Sequence, residues 1–325
     1  MTVRAFLVLF VITRLAAEPP PEVPRQIDNE TVLLPTQWFL RPVGAQTVVG
    51  DFPVNLSLSP DGRFAAVLHS GQGQHEVVVL NAANGRIISR VALEECFYGV
   101  AFSSDGKRLH CSGAGEEVVH LFDFADGFLS SPRKIALRDV KARGVPAGLA
   151  VAKDGTIYVA NVWGHSVSRV QLGKDEPVIA ELLFSERAPV FPAPPTTTDE
   201  PSITKRTDAQ LEPTKVEDPF PYACVLDEKR GRLYVSLWAK AHVAVIDTNT
   251  FKEVARWPVE EHPNEMLLSA DGTRLFVANA NRNSVSVLDP ETGVIRETLV
   301  ATLPSPDSPR PTSRRRRATR RTRSR

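Results

Sequence analysis

From Phe52 to Val300 apolar and polar residues alternate in short bursts, and the bursts recur as one unit five times. Each unit opens on a Pro or an aromatic residue, runs through a short apolar strand into a tight turn, and leaves by a second strand. The turns are Ser59-Pro60-Asp61-Gly62, Ser103-Ser104-Asp105-Gly106, Ala152-Lys153-Asp154-Gly155, Glu228-Lys229-Arg230-Gly231 and Ser269-Ala270-Asp271-Gly272. Asp-Gly between alternating runs is a hairpin signal, because glycine takes positive φ without a Cβ clash. Second strands follow at once, as in Phe64-Ala65-Ala66-Val67 and Leu233-Tyr234-Val235-Ser236. Third strands end in an apolar pair and a polar residue, as in Val245-Ile246-Asp247 and Val287-Leu288-Asp289, and a fourth leaves after Asp289-Pro290-Glu291-Thr292-Gly293.

Four short antiparallel strands in roughly 40 residues, repeated, mark a propeller blade. The pattern predicts an all-β chain: a β-propeller of four-stranded antiparallel blades, five of them visible. A β-sandwich also has many short strands, but it does not need one four-strand unit five times. About seven blades of this size would fill nearly the whole chain, so the five are expected to belong to a seven-bladed ring. Gln46-Thr47-Val48-Val49 reads as a fourth strand without its first three. Its partners would lie after residue 300, and the five-blade chain alone is expected to be an open, poorly stable arc.

Composition adds appendages to this domain. Residues 1–17 read as an export signal: Arg4, an apolar stretch from Ala5 to Ile12, then Leu15-Ala16-Ala17. Residues 18–31 read as an unstructured Pro-rich lead, 32–302 as the propeller, and 184–217 as a mobile Pro- and Thr-rich insertion. The apolar run is short for a bilayer, so no membrane span is expected after cleavage, and the protein is expected to be periplasmic or extracellular. From Arg314 to Arg325, eight of 12 residues are arginine; without them the net charge of +1 becomes −7. Clustered arginines suit nucleic acid, but an exported, acidic propeller gives such a tail no role, and no nucleic-acid partner is expected. Because the blade pattern stops near Thr302, residues 303–325 are expected to come from a shifted frame or a misplaced gene end.

Tyr158-Val159-Ala160-Asn161 and Phe276-Val277-Ala278-Asn279 resemble the motif of the YVTN-repeat, YncE-like β-propeller family, over about residues 32 to 300. Asp51-Phe52-Pro53-Val54-Asn55, Glu76-Val77-Val78-Val79 and Val145-Pro146-Ala147-Gly148-Leu149-Ala150-Val151 more narrowly resemble the propeller half of bacterial proteins that join such a domain to an alkaline-phosphatase-like phosphoesterase. The resemblance implies a binding or scaffolding propeller. No residue matches the metal or nucleophile motifs of the phosphoesterase half.

Strand parity decides which end of the blades can carry chemistry. Loops between second and third strands share a face with the connections between blades, and the Asp-Gly turns lie opposite. That face is expected to receive Asn55, Tyr98, Trp163, His165, Tyr222, Trp238, His242, His262 and Glu265. We take Trp163, His165, Trp238, His242, Tyr222, His262, Glu265 and Asn55 as candidate ligand-binding residues. The ligand is an unspecified protein or small molecule. Trp in such loops also serves simply to pack blades together.

No catalytic residue, metal or cofactor is assigned. His75, His165 and His242 occupy nearly equivalent positions of different blades, too far apart to share an ion. Asp61, Asp105, Asp154 and Asp271 are turn formers. Cys111 should face about Val100, out of register with Cys96, so the three cysteines read as buried thiols. The opposing class is a propeller hydrolase such as a lactonase, to which Glu265, His262 and Asp218 could contribute.

Overall fold

A computed structural model of the chain describes residues 23–28, 31–36, 38–41, 44–173, 176–185 and 218–301. They fall into two compact units that divide after Val48. The expected export signal, most of the insertion and the arginine tail lie outside the described residues. In the first unit β1 (Arg25–Gln26), β2 (Val32–Leu33) and β3 (Phe39–Leu40) pair antiparallel in that order. Part of the stretch expected to be unstructured is therefore a strand: the Arg25–Gln26 ladder closes through the Ile27 N–H donating to Thr31 O at 2.8 Å.

The second unit is five four-stranded antiparallel blades. Blade 1 is β4 (Pro53–Leu58), β5 (Phe64–His69), β6 (Glu76–Asn81) and β7 (Ile87–Ala92). Blade 2 is β8 (Val100–Phe102), β9 (Arg108–Ser112), β10 (Val118–Ala125) and β11 (Phe128–Ala136). Blade 3 is β12 (Pro146–Val151), β13 (Ile157–Asn161), β14 (Ser166–Gln171) and β15 (Val178–Leu183). Blade 4 is β16 (Pro221–Asp227), β17 (Arg232–Leu237), β18 (His242–Asp247) and β19 (Lys252–Pro258). Blade 5 is β20 (Pro263–Leu268), β21 (Leu275–Asn279), β22 (Ser284–Leu288) and β23 (Ile295–Val300). Strands pair in chain order within every blade.

The core lies between blades, because a sheet with two apolar faces must cover both. Phe64, Ala66, Leu68, Val77 and Val79 of blade 1 pack on Val100, Phe102, Leu109, Cys111 and Phe122 of blade 2. Equivalent layers join blades 2 and 3, 3 and 4, and 4 and 5. Each fully buried Val or Leu in them contributes about 1.5–3 kcal/mol. Leu56 and Leu58 of β4 and Leu267 of β20 remain more than half exposed. Cys111 pairs with Val100 as expected, and all three cysteines are buried and free.

The asparagine of the repeated motif has a clear task. Asn161 ends β13 fully buried and donates from Nδ2 to Ser166 Oγ and Ser168 Oγ at 3.0 and 2.9 Å. Asn279 does the same to Ser284 and Ser286 at 3.1 and 2.9 Å. One amide thus staples the second strand to the third where the ladder ends.

The Asp-Gly turns are turn formers as expected. Asp61, Asp105 and Asp271 each accept from the hydroxyl of the serine two residues earlier at 2.6 Å. One element differs: Gln46-Thr47-Val48-Val49 forms no strand. Each blade already supplies four strands of its own, and Val49 O instead accepts from Arg90 Nη2 at 2.5 Å.

Candidate functional site

Four of the five innermost strands begin with proline: Pro53, Pro146, Pro221 and Pro263. An innermost strand has a free edge toward the axis, so the missing N–H is tolerated. The residue before each proline, Phe52, Val145, Phe220 or His262, has φ between 45° and 55°. Such values are rare and strained for side chains of this size. Just after each proline the pairing register slips: between Pro53 and Asn55, Pro146 and Leu149, Pro221 and Cys224, and Pro263 and Met266. A bulge re-aims side chains. Here the re-aimed positions are Asn55, Tyr222 and Glu265, at the mouth of the axis.

Two glycines let the inner strands close up. A Cβ on Gly99 would collide with Ala147 O, and one on Gly148 with Tyr222 O. With those strands in contact, Tyr98 stacks on Tyr222 with ring centroids 4.6 Å apart, and Phe97 meets the same ring edge-on at 6.0 Å. The Tyr98 hydroxyl donates across the axis to Glu265 Oε2. Asn55 Nδ2 donates to Tyr98 O at 3.0 Å, so blades 1, 2, 4 and 5 meet at one point.

Crowding by surrounding protein pushes the Glu265 carboxyl above its ordinary value, partly offset by the Met266 N–H it accepts. Burial likewise pushes the Tyr222 hydroxyl up. No ion pair to Glu265 occurs among the described residues.

Beside this cluster lies a pocket of about 250 Å3 lined by Val162, Trp163, Phe220, Tyr222 and Trp238. Trp163 follows β13, and Trp238 opens the short turn after β17, so both come from the loops between second and third strands. They are 47% and 38% exposed, unlike the blade interiors. Phe220 stands nearly perpendicular to Trp238, at 88° with centroids 6.5 Å apart, and the two make a corner. His262 stacks on Trp238 at 3.9 Å. His165 is buried against Phe220 at 4.9 Å, with Asp218 Oδ1 3.9 Å from its Nε2. Burial lowers the His165 imidazole, with Asp218 partly offsetting it.

Seven of the eight residues expected here therefore converge: Asn55, Tyr222 and Glu265 on the axis, and Trp163, His165, Trp238 and His262 around the pocket, with Tyr222 shared. His242 does not join them; its Nδ1 lies 2.5 Å from Lys240 O, closing its own turn. Phe97, Val162 and Phe220 complete the cluster and were not singled out from the sequence. The recurring aromatic-before-strand pattern, Phe97-Tyr98 and Phe220-Pro221-Tyr222, is the signal that could have found the two phenylalanines.

A larger cavity, about 760 Å3, opens at the other end between the turns of blades 3 and 4. Its charged rim is already engaged, with Lys153 on Glu228 at 3.0 Å and Arg230 on Asp227 at 2.7 Å. Among the described residues no three His, Cys, Asp or Glu side chains are grouped to hold a metal ion, and no helix is long and apolar enough to cross a membrane.

Comparison with known proteins places the fold in a class. No family model and no curated protein sequence matches the chain. Solved structures do match, and they are β-propeller proteins. A streptogramin B lyase structure is 17% identical with a TM-score of 0.57, over 80% of this chain and 72% of that one. The β-propeller domain of Cps50 (Swd1) from Myceliophteria thermophila is 15% identical with a TM-score of 0.53, over 81% and 71%. A functionally unknown protein from Desulfotomaculum acetoxidans is 14% identical with a TM-score of 0.56, over 83% and 78%. At these identities the likeness shows the fold: the chain is a β-propeller protein.

Proposed function

We propose that this chain is a non-catalytic, exported propeller of the YVTN-repeat, YncE-like kind. On this reading it is a binding or scaffolding module that ordinarily precedes a phosphoesterase domain and presents its ligand site at the loop end of the blades. The observation that carries the reading is the aromatic pocket of Trp163, Phe220, Tyr222 and Trp238 beside the axial Tyr98–Glu265 contact. The indoles are half exposed and the strand entries strained, and concave apolar sites with a few convergent polar groups are the usual form of a ligand site. The export signal rests on the residue pattern of 1–17, and the family and its association with a phosphoesterase rest on the sequence resemblance.

A thermal-shift screen of small molecules on the full chain tests this. Hits should stabilise the protein and lose their effect in the Trp163→Ala, Trp238→Ala double variant. Hits that act equally on both proteins would place binding elsewhere and end the reading.

One observation favours a hydrolase instead: a carboxyl pushed up by its surroundings, as at Glu265, is poised for general-base work. On that reading the full chain opens lactones, and Glu265→Gln abolishes turnover. A chain without lactonase activity leaves the binding reading in place.

A further inference from the structure

Resting on the binding reading, the chemistry of the pocket narrows its ligand. The lining offers no carboxylate, no amide and no cation. A phosphate or a primary ammonium would leave most of its hydrogen-bonding groups unpaired against two indole N–H groups and one phenol, which is costly. A fully methylated nitrogen has no N–H to satisfy. It carries a diffuse positive charge that the π-faces of Trp, Tyr and Phe attract. Phe220 and Trp238, at 88°, provide two walls around one point, and Tyr222 and Trp163 two more sides.

Charge complementarity points the same way. Two carboxylates stand one ring behind the walls: Glu265, reached from Tyr222 through Tyr98, and Asp218, reached from Phe220 through His165. Glu265 has no protein cation against it among the described residues, although protein crowds it. The volume, about 250 Å3, lies just below the roughly 300–1,000 Å3 of pockets for whole small molecules, so it fits a compact head group.

We propose that the pocket of Trp163, Phe220, Tyr222 and Trp238 is a receptor for a quaternary ammonium head group, with Glu265 and Asp218 supplying the counter-charge. The head group can belong to a free small molecule or to a trimethylated lysine side chain; the recognition chemistry is the same.

The test is calorimetric titration of the full chain with choline, with its uncharged isostere 3,3-dimethylbutan-1-ol, and with a short peptide carrying trimethyl-lysine. Choline or the peptide should bind about tenfold more tightly than the alcohol, and whichever binds tighter identifies the source. Glu265→Gln should weaken cation binding several-fold, and Trp238→Ala and Trp163→Ala should each abolish it. Circular dichroism melts of each variant verify that the fold is intact. Equal affinity for choline and the alcohol would overturn the cation while leaving an apolar binding pocket. No binding of any of the three would overturn the proposal outright. Cation binding that survives both tryptophan substitutions would overturn the pocket, and the binding reading with it.

Discussion

At the turn end of the blades Asp61, Asp105 and Asp271 each accept a bond from the serine two residues earlier, and that bond holds each carboxyl below its ordinary value, to about 2 for Asp271. At the loop end Glu265 has one tyrosine hydroxyl and a backbone N–H for company, and protein crowding pushes its carboxyl the other way. Both ends expose acids, yet only the turn end satisfies them locally. The turn-end acids are explained by the fold, because each serine-aspartate pair braces its own hairpin. Glu265 and the half-exposed indoles Trp163 and Trp238 close no hairpin, which leaves them available to a ligand.

The interior sets the background against which both ends titrate. His110 is buried on β9, and burial lowers its imidazole to about 4 from an ordinary 6.5. The folded state therefore favours neutral His110. Its contribution is complete above 6.5 and is lost as pH falls toward 4, roughly 3 kcal/mol in all. Urea unfolding from pH 7 to 4 should show this decline, and His110→Gln should flatten it.

Next in size is the loop-end staple. Asn279→Ala leaves Ser284 and Ser286 without their donor and should cost about 2 kcal/mol in urea unfolding. Trp238→Ala removes the stack on His262 and should cost only about 1 kcal/mol, while abolishing ligand binding. A large stability loss from Trp238→Ala with binding retained would make the indole part of the blade packing and erase the contrast between the ends.

Smaller effects separate the two kinds of acid. Asp271 is depressed, so its stabilisation is present above 3.8 and lost as pH falls toward 2; Ser269→Ala should shrink that acid limb in a pH-dependent melt. Glu265 is raised, so its favourable contribution holds below 4.5 and disappears as pH rises through its folded value. Glu265→Gln should therefore raise the Tm slightly at pH 7 and leave it unchanged at pH 4.

The blades were legible because each is closed by local chemistry. Ser-x-Asp-Gly marks three of the five turns, period-two apolar runs mark the strands, and in blades 3 and 5 the terminal asparagine of the second strand has its serines five and seven residues on. The site was legible in part, through strand parity, which puts Trp163, Trp238 and Tyr222 at one end. The pocket itself depends on rings from different blades, such as Phe220 against Trp238 and Tyr98 against Tyr222, and no spacing within one repeat encodes them. The left-handed φ at Phe220 and His262 was hidden for another reason: the residue before a proline is normally extended, so nothing in the sequence signals the left-handed turn there. Gln46-Thr47-Val48-Val49 misled because an apolar run shows strand propensity without showing a vacant edge.

Carbon-detected NMR titration of the side-chain carboxyls tests the contrast between the ends most directly. Glu265 should titrate above 4.5, while Asp105 and Asp271 titrate below 3.8, with Asp271 near 2. Glu265 titrating at or below 4.5, with the turn aspartates at their ordinary value, would contradict the account.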